Sequence, residues 1–386
     1  MNIVVVGVGY VGLITGLGLA KLDHKVQFVD IDEKKINKLN KNIAPFFEPQ
    51  LEHYLSDKKI LKNITFKNDY EKIIWSDIDV IMVCVQTPSL NNSGVDVSFL
   101  ENVFKSIEKY SKNESIVCVK STIHPAALNK VIDSSNIEDT RIVFNPEFLR
   151  EGTAFDDFFN PDRIVIGAID EENSTKVLEL YKNIESRVIL TDPISSQLIK
   201  YLSNAYLPLR LSFVNEAAQI IKQLGGNLSQ TLEGVGLDKR IGNEYFRPSP
   251  GWGGSCFPKD VEEINSISKS NNLLTPLIST IKDSNEKHKS WFAKYLEDIK
   301  NQKNYKNIIL IGLAFKENTD DLRYSPTLSI YELLSSSSKN IYVYDEYFKK
   351  YENINFLHSF LEDSLIVEMY PLSGDFQENV NNELKK

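Results

Sequence analysis

Short apolar runs alternate with stretches of helical periodicity over residues 1–191. The strand-like runs are NIVVVG (2–7), KVQFVD (25–30), VIMVCV (80–85), SIVCVK (115–120), RIVF (141–144), RIVIG (163–167) and RVIL (187–190). Runs with so few polar interruptions belong to strands buried on both faces, the pattern of a parallel sheet covered by helices. Their alternation with helical sequence predicts the α/β class, here a Rossmann-type doubly wound sheet.

The pattern changes at Asp192. From there to about Leu224 the periodicity is that of one long helix, with Leu198, Tyr201, Leu202 and Ala205 at three- and four-residue spacing and Gly225–Gly226 as its stop. Pro208 lies inside it, frees the carbonyl of Asn204 and predicts a kink. Further helical sequence covers 227–235, 258–270 and 276–300. A second α/β unit follows: a strand in YKNIILIGLAF (305–315), a helix in SPTLSIYELLSSS, and a strand in NIYVYD (340–345). Three domains are expected: 1–191, a central helical region 192–300, and a smaller C-terminal α/β domain 301–386. Within the last of these, the polar stretch after about residue 350 shows no clear element.

Composition narrows the function. With 386 residues, 42% hydrophobic and 25% charged, the chain has ample material for a large core. A net charge of -9 argues against nucleic acid as a partner. No apolar run approaches the length of a membrane span, so no membrane partner is expected. The apolar N-terminus lacks a basic flank and reads as a strand rather than a signal peptide. Three widely spaced cysteines form no disulfide framework and fit a reducing cytoplasm. The five histidines lack ligand spacing, so no metal site is expected.

Two stretches carry chemistry. GVGYVG places Gly7, Gly9 and Gly12 between a buried strand and a helix, and the next strand ends in Asp30. This is the dinucleotide fingerprint: glycines let the backbone approach a pyrophosphate at a helix N-terminus, and the acid takes a ribose hydroxyl pair. Asp30 would repel a 2′-phosphate, which favours NAD over NADP. In GWGGSCFPKD (251–260), Cys256 follows Gly253 and Gly254 and precedes Asp260 by four residues. The loop is either a tight turn that happens to hold a thiol, or a device to expose one. Cys84 and Cys118, in apolar runs, read as core. Lys200 and Asn204 are four apart and share a helix face.

GVGYVGL, VQTP (85–88), KST (120–122), NPEFLREGTA (145–154), NPDRIVIG (160–167), IKYLSNAY (199–206), RIGNEYFRPSPGWGGSCFPKD (240–260) and GLAFKENTDDLR (312–323) occur in that order. Together they resemble the UDP-glucose/GDP-mannose dehydrogenase family over residues 1–345, and most closely its UDP-glucose branch. The resemblance implies an NAD domain, a central dimerisation region on the long helix, and a C-terminal domain for the nucleotide sugar. It also implies two successive oxidations of UDP-glucose at C6, to the acid, with two NAD and one water. Cys256 is then the nucleophile, Lys200 the cation beside the developing oxyanion, and Asn204 a second donor. Asp260 is the base that activates water or takes the alcohol proton, Glu147 the acid/base for thioester hydrolysis, and Thr122 orients the water. Tyr10, Val11, Lys35, Thr87, Thr122, Glu151 and Arg323 join the glycines and Asp30 at the cofactor. Phe148, Leu149, Tyr245, Phe246, Gly253 and Lys316 join Glu147, Lys200 and Asn204 at the substrate, with Arg240 reaching the substrate of the neighbouring subunit of a homodimer.

Three alternatives stand beside this. A sister activity would act on GDP-mannose or a UDP-N-acetylhexosamine. A two-electron dehydrogenase would keep Cys256 as a structural residue. A non-catalytic nucleotide sensor or scaffold would bind NAD without turnover. The segment FLEDSLIVEMYPLSGDFQENVNNELKK (360–386) departs from the strand and final helix with which the family ends, and predicts a trimmed or altered end to the sugar-nucleotide domain.

Overall fold

The structure is a computed structural model that describes residues 1–88, 96–111, 114–372 and 374–384. The chain divides into two compact units, Met1–Leu202 and Ser203–Lys386.

Among the described residues the first unit holds eight strands: β1 (Asn2–Val6), β2 (Lys25–Val29), β3 (Ile64–Lys67), β4 (Val80–Val83), β5 (Ile116–Val119), β6 (Ile142–Phe144), β7 (Arg163–Ala168) and β8 (Arg187–Thr191). They form one sheet in the order β3-β2-β1-β4-β5-β6-β7-β8. Successive residues of β1 face opposite sides, as strand geometry requires. Ile3 and Val5 join a core with Leu13, Leu17 and Phe28, while Val4 and Val6 join another with Leu100, Phe104 and Val117. Two apolar layers therefore explain the near-continuous apolar runs. Cys84 and Cys118 lie in them as expected; both are buried, and burial pushes each thiol up to about 12.

Two features differ from the sequence reading. β3 had no counterpart among the expected strands, because ITFK is a four-residue edge strand that buries only Ile64 and Phe66. β7 runs antiparallel to β6, whereas the other pairs are parallel. The connection between them carries the six-residue helix Ala154–Phe159 in place of a full crossover helix, which a parallel return needs.

The long helix runs from Pro193 to Gln223 and includes Pro208. Its residues to Leu202 fall in the first unit and those from Ser203 in the second. The second unit continues with helices Leu228–Gly236, Phe257–Ser270 and Pro276–Gln302, then a three-stranded parallel sheet in the order β10 (Ile341–Tyr344), β9 (Asn307–Ile311), β11 (Ser364–Glu368). The altered C-terminal ending expected from the sequence is corrected here. SLIVE forms β11, and the helix Gly374–Leu384 follows it, with Phe376 and Val380 packed on Ile311. Its apolar run Leu365–Val367 is short and flanked by polar residues, as befits an edge strand that is half-exposed along that run.

The two sheets repeat one turn. Gly7 N donates to Val29 O (2.9 Å) and Val8 N to Asp30 Oδ2 (2.7 Å). In the second unit Gly312 N donates to Tyr344 O (2.9 Å) and Leu313 N to Asp345 Oδ2 (2.7 Å). Asp345 also accepts the amides of Tyr347 (2.8 Å) and Phe348 (2.9 Å) and is buried. Asp345→Ala strands these amides, so urea unfolding should show a loss of about 2–4 kcal/mol, with a smaller loss for Asp345→Asn.

Candidate active site

In the first unit the glycine-rich turn is formed as its spacing predicts. A Cβ at Gly12 would fall 1.9 Å from the Gly7 carbonyl oxygen, so the first helix (Tyr10–Lys21) can start here only without a side chain at that position. A Cβ at Gly9 would meet no protein atom within 4 Å. The chain itself does not need that glycine; the open space fits a pyrophosphate drawn close to the backbone. At the tip of β2, Asp30 accepts the amides of Val8 (2.7 Å) and Asp32 (2.9 Å) and pairs with Lys35 Nζ (3.1 Å). The residues present therefore fit a dinucleotide, with Lys35 beside Asp30. Thr87 and Thr122 also come together, the Thr87 hydroxyl donating to Thr122 O at 2.9 Å.

Glu147 and Lys200 form a buried ion pair, Nζ to Oε1 at 2.8 Å. The second oxygen of Glu147 accepts the Leu149 amide at 2.7 Å, which turns the NPEFL strip back on itself. The ring of Phe148 has the Arg163 guanidinium 3.9 Å from its centroid and Lys200 Nζ 5.3 Å from it. The strip begins at a buried cluster: Lys120 Nζ and Tyr181 OH both donate to Asn145 Oδ1 (3.0 and 2.7 Å), and Asn145 Nδ2 donates to Val165 O (2.7 Å). Lys120, Tyr181 and Arg163 were not singled out from the sequence. Two of them lie within the quoted motifs KST and NPDRIVIG, but nothing in a motif says which neighbour a side chain will meet. Glu151 lies on the same strip, partly buried.

In the second unit the cysteine loop is held from three sides. The Asn285 amide accepts from Trp252 N (3.0 Å) and donates to Trp252 O (2.9 Å), clamping one residue as a neighbouring strand would. Trp252 Nε1 donates to Ser212 Oγ of the long helix at 3.0 Å. Gly254 N donates to Arg323 O at 3.0 Å, and a Cβ at Gly253 would fall 2.0 Å from the Tyr324 carbonyl oxygen. The glycines let the loop lie against the chain at 323–324, and Cys256 emerges exposed at the N-terminus of the helix Phe257–Ser270. Asp260 is one turn on, its amide bonded to Cys256 O at 2.9 Å. Its buried carboxylate takes Asn204 Nδ2 and Lys259 Nζ, both at 2.6 Å.

Other expected residues do not gather in the same way. Arg240 forms an exposed pair with Asp238 at 2.7 Å, and Arg323 with Asp321 at 2.7 Å. Lys316 Nζ sits 5.5 Å from the Phe315 ring centroid. Tyr245 is held at φ 54 and is partly exposed. Phe246 packs with Val214 and Leu232 in a small core, with the Arg210 guanidinium 5.0 Å from its ring centroid.

A dinucleotide turn closed by an acid, a paired lysine, and an exposed thiol one helical turn from a buried carboxylate define an NAD-dependent oxidoreductase that has a nucleophile available. The chain belongs to the UDP-glucose/GDP-mannose dehydrogenase family: its NAD binding domain model matches residues 1–185, its central domain model 194–287 and its UDP binding domain model 309–370. A UDP-glucose 6-dehydrogenase of Rickettsia conorii is 35% identical over 351 residues, 89% of this chain and 80% of that protein. One of Bacillus subtilis is 36% identical over 352 residues, 89% and 79%. A solved structure of a UDP-glucose dehydrogenase from Pyrobaculum islandicum superposes with a TM-score of 0.85 at 30% identity, covering 96% of this chain and 90% of that one. No helix among the described residues is long and apolar enough to cross a membrane.

Glu263, on the same helix as Asp260, is buried, and its carboxyl is pushed up from 4.5 to about 7, by burial first and then by Asp260 and Glu262, against Lys259. The folded chain thus keeps a proton that the unfolded chain releases above pH 4.5, and stability falls as pH rises from there through about 7. Glu263→Gln removes that dependence. Its stability should gain on the wild type between pH 5 and pH 8 by roughly 1–3 kcal/mol in urea titrations; an equal difference at both pH values would contradict this.

Proposed function

We propose that the chain is a UDP-glucose 6-dehydrogenase that oxidises UDP-glucose to UDP-glucuronate, using two NAD and one water. The observation that carries the reading is Cys256, presented by a glycine loop at a helix N-terminus one turn before Asp260, in a chain with NAD- and UDP-binding family domains. NAD, when bound, accepts hydride from C6 of the sugar. A four-electron oxidation must keep its aldehyde while the cofactor is exchanged. The Cys256 thiolate adds to that aldehyde and holds it as a thiohemiacetal, whose oxidation leaves a thioester for water to cleave. Lys200 and Asn204 steady the oxygen anion. Asp260 takes the alcohol proton, and Glu147 serves the hydrolysis with water oriented by Thr122.

At the cofactor we assign Gly7, Gly9, Tyr10, Val11, Gly12, Asp30, Lys35, Thr87, Thr122, Glu151 and Arg323. At the sugar nucleotide we assign Phe148, Leu149, Tyr245, Gly253 and Lys316, with Arg240 serving the neighbouring subunit. The domains follow as 1–191 for NAD, 192–300 for the central region and 301–386 for the UDP-sugar. A homodimer through the long helix is supported by Tyr206, Phe213, Ile220 and Leu224, which lie seven, seven and four residues apart and are 58–80% exposed. That is one apolar stripe along a helix. A thiol that must stay reduced fits a cytoplasmic location.

With purified protein and excess NAD, two NADH should form per UDP-glucose consumed. One NADH per sugar means that oxidation stops at the aldehyde and Cys256 is structural. Turnover of GDP-mannose or a UDP-N-acetylhexosamine in place of UDP-glucose would reassign the substrate. Cys256→Ala should cut kcat more than about 100-fold. Phe213→Asp should shift the sedimenting species from dimer to monomer.

A further inference from the structure

The loop APFFEPQL (44–51) buries a carboxylate that the reaction scheme above does not use. Glu48 is 5% exposed. Its Oε2 accepts the Tyr10 hydroxyl (2.7 Å) and the Gly152 amide (2.7 Å), and its Oε1 accepts the Ala154 amide (2.9 Å). Tyr10 is the first residue of the helix that opens from the glycine turn, and its ring packs on Phe46, centroids 5.4 Å apart. Burial, and then the charge of Glu48, drive the Tyr10 phenol far above its ordinary range, so it stays a protonated donor. Gly152 is held at φ 88, at the end of the strip that carries Glu147 to Glu151.

We propose that Glu48 is a positioning residue that locks the Glu147 strip to the glycine turn. A buried carboxylate with three donors at 2.7–2.9 Å has one arrangement that satisfies them all. Moving the strip relative to Tyr10 breaks at least one of these bonds in a place without water. The strip is thereby pinned at both ends: by Lys120, Tyr181 and Val165 on Asn145, and by Glu48 on Gly152 and Ala154. Glu147 lies between the two anchors. The inference rests on the reading of Glu147 as the acid/base and of the glycine turn as the NAD site.

The test uses the full chain with UDP-glucose and NAD. Glu48→Gln keeps the volume but turns an NH2 group toward a donor. Its kcat should fall about tenfold or more, because a misplaced acid/base costs rate rather than binding, while KM for UDP-glucose changes less than about threefold. Tyr10→Phe removes one bond and should cost less. The double variant should be no slower than Glu48→Gln alone, since both act through one contact. A kcat within about twofold of wild type for Glu48→Gln, whatever its melting temperature, overturns the proposal. Should Glu48→Gln not fold, Tyr10→Phe decides, and an unchanged kcat overturns it. A wild type that oxidises no nucleotide sugar defeats the functional reading instead. Amide hydrogen exchange then tests the lock separately: faster exchange at Gly152 and Ala154 in Glu48→Gln supports it, and equal exchange overturns it.

Discussion

A charge that leaves water must find an opposite charge or a set of hydrogen bonds, and the site depends on that constraint. Lys200 is buried on the long helix, and its amine meets Glu147 at 2.8 Å. One turn later Asn204, on the same helix, meets the buried carboxylate of Asp260 at 2.6 Å. Removing Glu147 takes from the buried Lys200 its opposite charge, which costs more than the pair gains, whereas Asp260 without Asn204 still meets Lys259 at 2.6 Å. Within the first unit the Lys200–Glu147 pair ties the NPEFL strip to the helix, and within the second the Asn204–Asp260 bond ties the cysteine helix to its own part of it.

The repeated turn shows one backbone device put to two uses. Asp30 and Asp345 each close a glycine turn by accepting the next amide at 2.7 Å. Asp345 gives its remaining capacity to the amides of Tyr347 and Phe348 and is sealed. Asp30 meets Lys35, and in the same turn a Cβ at Gly9 would meet nothing within 4 Å, so a ligand has room there. The difference lies in what surrounds the carboxylate. The second turn holds a sheet together, and the first also has a surface to offer.

Much of this was legible in the chain. Continuous apolar runs marked the strands of the large sheet because two packed layers leave no polar face. The glycine spacing marked the dinucleotide turn because only glycine tolerates a carbonyl at 1.9 Å from where Cβ would be. Edge strands were harder. β3 and β11 each keep a wet side, so their patterns merge with loop sequence. The packing of Phe246 on Val214 and Leu232 was not legible either, because those partners lie far from it in sequence.

The sequence by itself determined which residue types were available and their local spacing: the glycine turn, the thiol four residues before an aspartate, and a lysine and asparagine one helical turn apart. These depend on neighbours along the chain, where backbone geometry alone sets distance. Only the tertiary structure decided that Glu48 reaches Tyr10, Gly152 and Ala154, that Lys120 and Tyr181 share Asn145, and that Asn285 clamps Trp252. Those partners are far apart in sequence, and each pairing exists because folding removed both members from water and left them one another to bond.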